Sequence, residues 1–407
     1  MIKSKIIVSG TGCALADYLY NGISFNSKEF IKFQSKKPGD GGLSPGKLVF
    51  TGELEKYSNL LYQEIKGEII GGRPPDNFNV GGPSLVPMIH AAQLLNEEDY
   101  KVNFYGIAGN DKTAEKILRI VRNTNLDIKN YKITKKRSTP FTDVLSDPEF
   151  DNGNGERTFI NNLGAALDYS LNDLGESFYN SNIVCFGGTA LVPALHKNIT
   201  ALLARAKKGG CITIVNTVFD FISEKKDPDK PWQFGNADLS FNLIDVLIMD
   251  YIESLRISGR NNIDDAISFF INSGVSSFII TNGADLINMW SSGRFFNMQG
   301  RVQLPVSEKV TELLKKYPET RGDTTGCGDN FAGGIIASIA WQTKNKVKGE
   351  YDFFEALSWG VASGGFACFT LGGTYNENSP GEKLSEIRKL QQYYLSQINK
   401  KDETLEI

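Results

Sequence analysis

The sequence predicts an α/β protein in which a parallel sheet carries helices on both faces and a smaller set of strands is inserted beside it. Three observations point there. From residue 183 onward, apolar strands alternate with helical stretches: Ile183-Val184-Cys185-Phe186, a helix over 194–207, a strand over 211–215, then Val246-Leu247-Ile248-Met249. Alternation of that kind winds a parallel sheet with helices on its two sides. The chain opens on a strand, Ile6-Ile7-Val8-Ser9, that runs into Gly10-Thr11-Gly12. Residues 20–78, by contrast, are polar and dotted with glycine, and hold only short alternating runs.

Composition bounds the function classes. At 407 residues the chain suits one large α/β domain with insertions or two domains, and 41% hydrophobic with 22% charged residues fits a globular protein. A net charge of −3 leaves no basic excess to hold a nucleic-acid backbone, and no run of 18 apolar residues is present to span a membrane. A small-molecule partner is expected. Cys13, Cys185, Cys211, Cys327 and Cys368 are odd in number and scattered, without CxxC spacing, against a disulfide framework or a structural zinc site. A reducing, cytoplasmic setting fits. The apolar run behind the basic first residues is too short for a signal-peptide core, and His90 and His196 are too few for histidine-rich metal sites.

Taken in order, Gly10-Thr11-Gly12 opens like a dinucleotide fold, but Leu15 stands where the third glycine belongs. Gly41 to Lys47 has P-loop spacing, yet Leu48 replaces the hydroxyl that would hold magnesium and no apolar strand precedes it. Residues 47–51 and 67–72 alternate like short strands. Gly81-Gly82 leads into a helix over 85–95, either to let backbone approach a ligand or to cap the helix. A strand over 102–109 turns into a helix that Asp111 would cap. Further inserted strands are expected over 133–144 and 155–162. Asp250-Tyr251-Ile252-Glu253 follows the strand at 246–249, an acidic pair favoured at a helix N-terminus. Ser277 to Ala284 is a buried strand entering a turn, and a small-residue and aromatic helix spans 353–369.

The stretch with most chemistry is Asp323-Thr324-Thr325-Gly326-Cys327-Gly328-Asp329, running directly into Asn330-Phe331-Ala332-Gly333-Gly334. A glycine-rich turn opening a helix aligns unpaired N–H groups at the positive end of the helix dipole, which seats a phosphate. Asp329 falls in the helix's first turn, where a base must stand to take a proton from an attacking hydroxyl. Two glycines inside a helix cost about 1 kcal/mol each relative to Ala, so another element is expected to pack very close there.

These residues resemble the signature of the PfkB/ribokinase family of small-molecule kinases, usually Asp-Thr-x-Gly-Ala-Gly-Asp, with Cys327 in place of one small residue. The resemblance implies a Rossmann-like three-layer α/β/α ribokinase-like fold with a small β-rich lid: one kinase domain over 1–407, with lid segments inserted at about 20–78 and 131–165. It further implies Asp329 as base, with the amides of Gly326, Cys327 and Gly328 as anion hole. Asp17, Gly81, Gly82 and Asn161 or Asn162 would meet the substrate, and Thr281, Gly283, Thr325, Gly326 and Gly328 the nucleotide. Glu253 and Asp323 would serve metal, with the carbonyls of Asp323 and Thr325 helping to hold a monovalent cation such as K+. Two further positions depart from the family pattern: Asp250 stands for an Asn, and the helix place where an Asn is usual falls on or near Val86.

The expected activity is transfer of the γ-phosphoryl of ATP, with Mg2+, to a hydroxyl of a sugar or sugar-like molecule. A nucleoside acceptor is the alternative within the family; a silent ligand-binding regulator and a nicotinamide-dependent oxidoreductase are the alternatives outside it. The two lid segments are expected to lack a core of their own and to close over substrate. Donor, acceptor and oligomeric state, a homodimer included, are left open.

Overall fold

The structure, a computed structural model, describes residues 5–322, 324–345 and 350–405. In chain order its strands are β1 (Ile6–Gly12), β2 (Leu15–Asn21), β3 (Leu48–Phe50), β4 (Asn77–Gly81), β5 (Tyr100–Gly109), β6 (Leu126–Thr134) and β7 (Phe141–Asp147). Then come β8 (Glu156–Asn162), β9 (Ile183–Gly187), β10 (Ile212–Asn216), β11 (Val246–Asp250), β12 (Ser277–Thr281), β13 (Ile287–Ser292) and β14 (Gln299–Leu304).

Among the described residues the larger sheet has nine strands in the order β14-β13-β12-β11-β10-β9-β1-β5-β6, parallel from β6 to β12. Its central strands are buried on both faces, as parallel strands between two helical layers must be. Ile183 and Cys185 of β9 join the core that holds Met88, Ile335 and Leu357, while Val184 and Phe186 join the opposite core with Leu203, Phe270 and Phe278. The sheet is extended at one edge by the antiparallel β13 and β14, which the sequence did not predict.

The smaller sheet runs β3-β8-β7-β2-β4, so β2 joins it only three residues after β1 leaves the larger one. Contrary to expectation, it has a core of its own. Tyr20, Leu145 and Ile160 on one face pack with Phe30, Leu54 and Ile65 from helices Lys28–Lys32, Thr51–Ser58 and Tyr62–Ile70. The last of these helices replaces the strand predicted over 67–72. Tyr62, Ile65 and Ile70 face inward at helical spacing, Glu64 Oε2 accepts the Leu61 N–H at 2.9 Å, and Gly71 ends the helix at φ 68°. On the same side the Lys66 ammonium meets both carboxylate oxygens of the buried Asp143 at 2.8 Å.

The run predicted over 133–144 is also split. Thr134 closes β6 in the larger sheet and Phe141 opens β7 in the smaller, with a turn between them held by Asp111, whose Oδ2 accepts the Thr139 N–H at 2.7 Å. Asp111 caps helix Lys112–Val121 as expected, accepting the Ala114 N–H at 2.9 Å. The glycines of Gly10-Thr11-Gly12 are taken up by packing: a Cβ at Gly10 would lie 2.4 Å from Met88 Cγ, and one at Gly12 1.8 Å from the Gly187 carbonyl oxygen.

Gly333 and Gly334 meet two different helices. A Cβ on Gly333 would lie 2.8 Å from the Pro87 carbonyl oxygen in helix Leu85–Leu94, and one on Gly334 2.4 Å from the Trp359 carbonyl oxygen in helix Phe353–Ala367. The helix behind the central motif, Cys327–Asn345, is thus clamped on two sides at backbone distance. Gly334→Ala should lower the unfolding free energy by about 1–3 kcal/mol through overpacking. An unchanged urea midpoint would mean that the helices do not approach this closely.

Candidate active site

The turn before helix Cys327–Asn345 is built from backbone that few side chains tolerate. Thr324 sits at φ 58° and Gly326 at φ 76°, and a Cβ on Gly326 would lie 2.5 Å from Gly373 Cα. A non-glycine residue in the left-handed region carries a strain of order 1–2 kcal/mol, which the surroundings must hold in place. Asp323, expected to serve metal, lies outside the described residues. The Cys327 N–H donates to the Thr324 carbonyl at 3.3 Å and closes the turn, so of the three expected anion-hole amides this one has an internal acceptor. Gly328 is exposed, with no described atom within 4 Å of where a Cβ would stand. Next to that open space is Asp329, whose carboxyl burial lifts to about 7.

Asn330 holds the turn in place. Its Nδ2 donates to the carbonyls of Gly326 and Gly373, both at 2.8 Å, and its Oδ1 accepts from Lys383 Nζ at 3.2 Å and meets His90 Nδ1 at 2.5 Å. Lys383, 1% exposed, also donates to Gln93 Oε1 at 2.9 Å, and burial lowers its ammonium to about 7. The reading of the sequence missed this network. Its only local signal is a polar Asn ahead of an apolar helix; Lys383 is 53 residues away.

Three predicted carboxylates lie within electrostatic reach of one another's surroundings, near the carboxyl ends of β1 and β11. Cys13, just after β1, has its thiol pushed up by burial and then by the charges of Asp329 and Asp17, and Glu253 is raised in part by Asp329. Asp17 lies on β2 with its Oδ2 over Gly81, 2.2 Å from where a Cβ there would stand. Gly82, at φ 103°, lies against the Cys13 carbonyl oxygen, 2.6 Å from the same test position. Gly82 is therefore required by close backbone approach and by its positive φ, whereas at Gly81 a larger residue would have to displace the Asp17 side chain.

Register puts a further row of polar residues beside Asp17. Asn79 of β4 pairs with Asp17, Asp17 with Thr142 of β7, and Thr142 with Asn161 of β8, so all four side chains share one face. Asn161 Nδ2 donates to Thr142 Oγ1 at 3.0 Å, while the buried Asn161 Oδ1 and Asn79 Nδ2 have no hydrogen-bond partner among the described residues. Orphaned buried polar atoms are costly unless something else satisfies them. Asn79 and Thr142 escaped the sequence reading because strand register is not local. Val86, by contrast, packs on Gly373, 3.1 Å from where a Cβ would be, so an apolar contact fills the position where the family has Asn.

Asp250 and Glu253 form a capping box on helix Tyr251–Ser258. Asp250 Oδ1 accepts the Glu253 N–H at 2.7 Å; Glu253 Oε2 accepts the Asp250 N–H at 3.1 Å and the Thr217 hydroxyl at 2.5 Å. Burial, followed by the Asp250 charge, raises the Glu253 carboxyl. Among the described residues no three His, Cys, Asp or Glu side chains gather as a metal cluster. Thr281 ends β12 and Gly283 turns away at φ 54°, next in the chain to Ala284, Asp285 and Leu286 on the wall of an open cavity of about 630 Å³. A second cavity, of about 640 Å³, lies beside Asn161 and is lined by Phe50, Leu61, Phe141, Asn162 and Leu167.

Comparison with known proteins identifies the family and the fold. A family model described as pfkB family carbohydrate kinase matches residues 47–379. The fold is similar to that of Schistosoma mansoni adenosine kinase in complex with 2-fluoroadenosine, at 16% identity and TM-score 0.65, covering 91% of this chain and 97% of that one. It is similar to Arabidopsis thaliana ribokinase complexed with ribose and ATP, at 15% identity and TM-score 0.59, covering 96% and 99%. Anopheles gambiae adenosine kinase, in complex with P1,P4-di(adenosine-5) tetraphosphate, matches at 16% identity and TM-score 0.60 over 88% and 93%. The ribokinase-like α/β fold expected from the sequence is thus present, and the family match covers most of the chain. The protein belongs to the pfkB family of carbohydrate kinases, phosphotransferases with an alcohol group as acceptor.

Proposed function

We propose that the protein transfers the γ-phosphoryl group of ATP to a hydroxyl of a sugar or sugar-like small molecule, with Asp329 taking the hydroxyl proton. The observation that carries this reading is the pairing of open space at Gly328 with a partly buried carboxyl, raised by desolvation, in the first helical turn at Asp329. A base whose pKa lies near the operating pH is the most effective one that is still ionised. The amides of the 326–328 turn and the positive end of helix Cys327–Asn345 stabilise charge on the transferring group.

Mg2+, when bound, would offset the charge of the phosphates, and it would need few protein ligands because phosphate and water supply the rest. Glu253 suits a water-mediated role, since its Oε2 already accepts two hydrogen bonds and its carboxyl stands close enough to Asp329 to feel its charge. Thr281, Gly283 and Thr325 border the nucleotide, the open cavity past Gly283 receives its base, and backbone carbonyls of the 323–325 stretch hold a monovalent cation. The whole chain is read as one kinase domain in which the smaller sheet is the lid. Its polar face holds the acceptor, with Asp17, Gly81, Gly82 and Asn161 on the hydroxyls, helped by Asn79 and Thr142. A nucleoside acceptor is the second reading, favoured by the 640 Å³ cavity beside Asn161 with its Phe50, Leu61 and Leu167 walls. The buried thiols of Cys13, Cys185 and Cys211 fit a cytoplasmic location, and no described helix is long and apolar enough to cross a membrane.

Two outcomes are expected. Asp329→Asn should still bind ATP while kcat falls about 100-fold or more, the range for loss of a positioned base. The sign of the pH dependence follows from the same group: below a carboxyl pKa of about 7 the base carries its own proton, so the wild-type rate should drop about tenfold per pH unit on the acid side and level off above. Near wild-type turnover by Asp329→Asn, or a rate flat from pH 5 to 8, would remove Asp329 as base. For the acceptor, Asp17→Ala should lower kcat/KM roughly tenfold or more with the KM for ATP unchanged. Intact acceptor kinetics in that variant would mean that the row on the smaller sheet does not read hydroxyls.

A further inference from the structure

Cys327 and Cys368 are 41 residues apart in sequence, yet their Sγ atoms stand 3.5 Å apart. Both are partly exposed, whereas Cys13, Cys185 and Cys211 are buried. Cys327 is the first residue of the helix that carries Asp329, and Cys368 is the C-cap of helix Phe353–Ala367. Spacing in the sequence gave no hint of a pair; two helix ends meeting at the phosphate-binding turn create it.

We infer that Cys327 and Cys368 form an oxidation site at which a peroxide closes a disulfide beside the phosphate-binding turn, leaving a slower kinase. The effect on rate rests on the reading of that turn as the phosphate seat; the disulfide itself does not. The Cys368 thiolate attacks one oxygen of hydrogen peroxide, giving a sulfenic acid and hydroxide, which leaves as water after taking up a proton. Cys327 Sγ then attacks the sulfenic sulfur, and its proton departs with the displaced hydroxyl as a second water. Two thiols and one peroxide become one disulfide and two waters, with two electrons passing from sulfur to oxygen. Cys368 is the better first nucleophile: the hydrogen bond from Cys327, helped by the charge of Arg321, brings its thiol down to about 7.

Closing the bond must bring the sulfurs from 3.5 Å to about 2.05 Å. The Cys368 side has little freedom, because its Sγ already touches the Gly364 carbonyl at 3.6 Å and a Cβ on Gly364 would lie 3.1 Å from the Cys327 carbonyl oxygen. Movement on the Cys327 side is felt by the turn, which the Cys327 N–H closes on the Thr324 carbonyl at 3.3 Å and which already holds Thr324 at φ 58° and Gly326 at φ 76°. With that turn read as the phosphate seat, a shift of Cys327 disturbs its own amide and that of Gly328.

The test uses the reduced full-length protein, treated with hydrogen peroxide and mapped by mass spectrometry of non-reduced peptides, with MgATP binding and ADP release on an accepted sugar or nucleoside followed in parallel. The expected result is a Cys327–Cys368 linked peptide lighter by two hydrogens, a kcat at least about tenfold lower that dithiothreitol restores, and slower cross-linking in saturating MgATP. Cys368→Ser should keep the reduced rate and lose the sensitivity to peroxide. Absence of the linked peptide, sulfinic or sulfonic products alone, an unchanged rate in the linked protein, or equal inactivation of Cys368→Ser would each overturn the inference. A reduced enzyme without kinase activity would count against the kinase reading instead, and the linked peptide would still decide whether the disulfide forms.

Discussion

The structure depends on a turn that must be both bare and rigid. Backbone amides can face a phosphate only where side chains are out of the way, so the stretch from 324 to 328 is rich in residues that do little to stiffen it. Its rigidity comes from outside. Gly326 lies on Gly373, the Asn330 amide ties the carbonyls of both residues together, and Lys383 and His90 close on Asn330 Oδ1. Behind the turn, Gly333 and Gly334 let two neighbouring helices approach to backbone distance, so that the helix axis and its dipole cannot swing. Two neighbouring helices, Gly373 and a lysine more than fifty residues downstream thus serve one short loop. Lys383 shows what this costs: an ammonium with neutral oxygen acceptors in a buried site, its pKa drawn down to about 7.

The electrostatics of the cleft follow from the same compaction. Asp329 and Glu253 are both raised by burial, and each is close enough to the other's field to make joint ionisation harder. Glu253 is nevertheless fixed in direction by the Asp250 N–H and the Thr217 hydroxyl, so its cap role and a role toward a hydrated cation do not compete for the same freedom.

Much of this was legible in the residues and some of it was not. The glycine-rich turn opening a helix with Asp329 in its first turn and the alternating strands of the parallel sheet are local patterns, and Gly333-Gly334 correctly signalled close packing. The helix at Tyr62–Ile70 was misread because its Ile69-Ile70 pair followed by Gly71-Gly72 looks like a short strand with a turn, while the helical spacing from Tyr62 is apparent only over the longer window. The Asn330–Lys383 contact, the Cys327–Cys368 approach and the Asn79–Thr142 row all depend on elements far apart in sequence, for which periodicity carries no signal. Asp17 also lies ahead of the residues matched by the family model, which begin at 47, so its position opposite Gly81 and Thr142 is information that the fold adds.

That row is secured from its far side. Because side chains alternate across a strand, a slip of one residue would turn Asp17, Thr142 and Asn161 toward the helices and bring Tyr18, Asp143 and Ile160 into the cleft. The apolar cluster of Tyr20, Leu145 and Ile160 against the inserted helices opposes such a slip, and the Lys66–Asp143 pair opposes it again, since Asp143 would lose its cation. The long polar insertion between 20 and 78 therefore has a structural purpose that its composition conceals. It supplies the helices that give the smaller sheet a core, and that core holds the polar face in register. A row of polar groups spread over β2, β4, β7 and β8 keeps its geometry only while the four strands stay aligned, and here alignment is enforced by the opposite, apolar face.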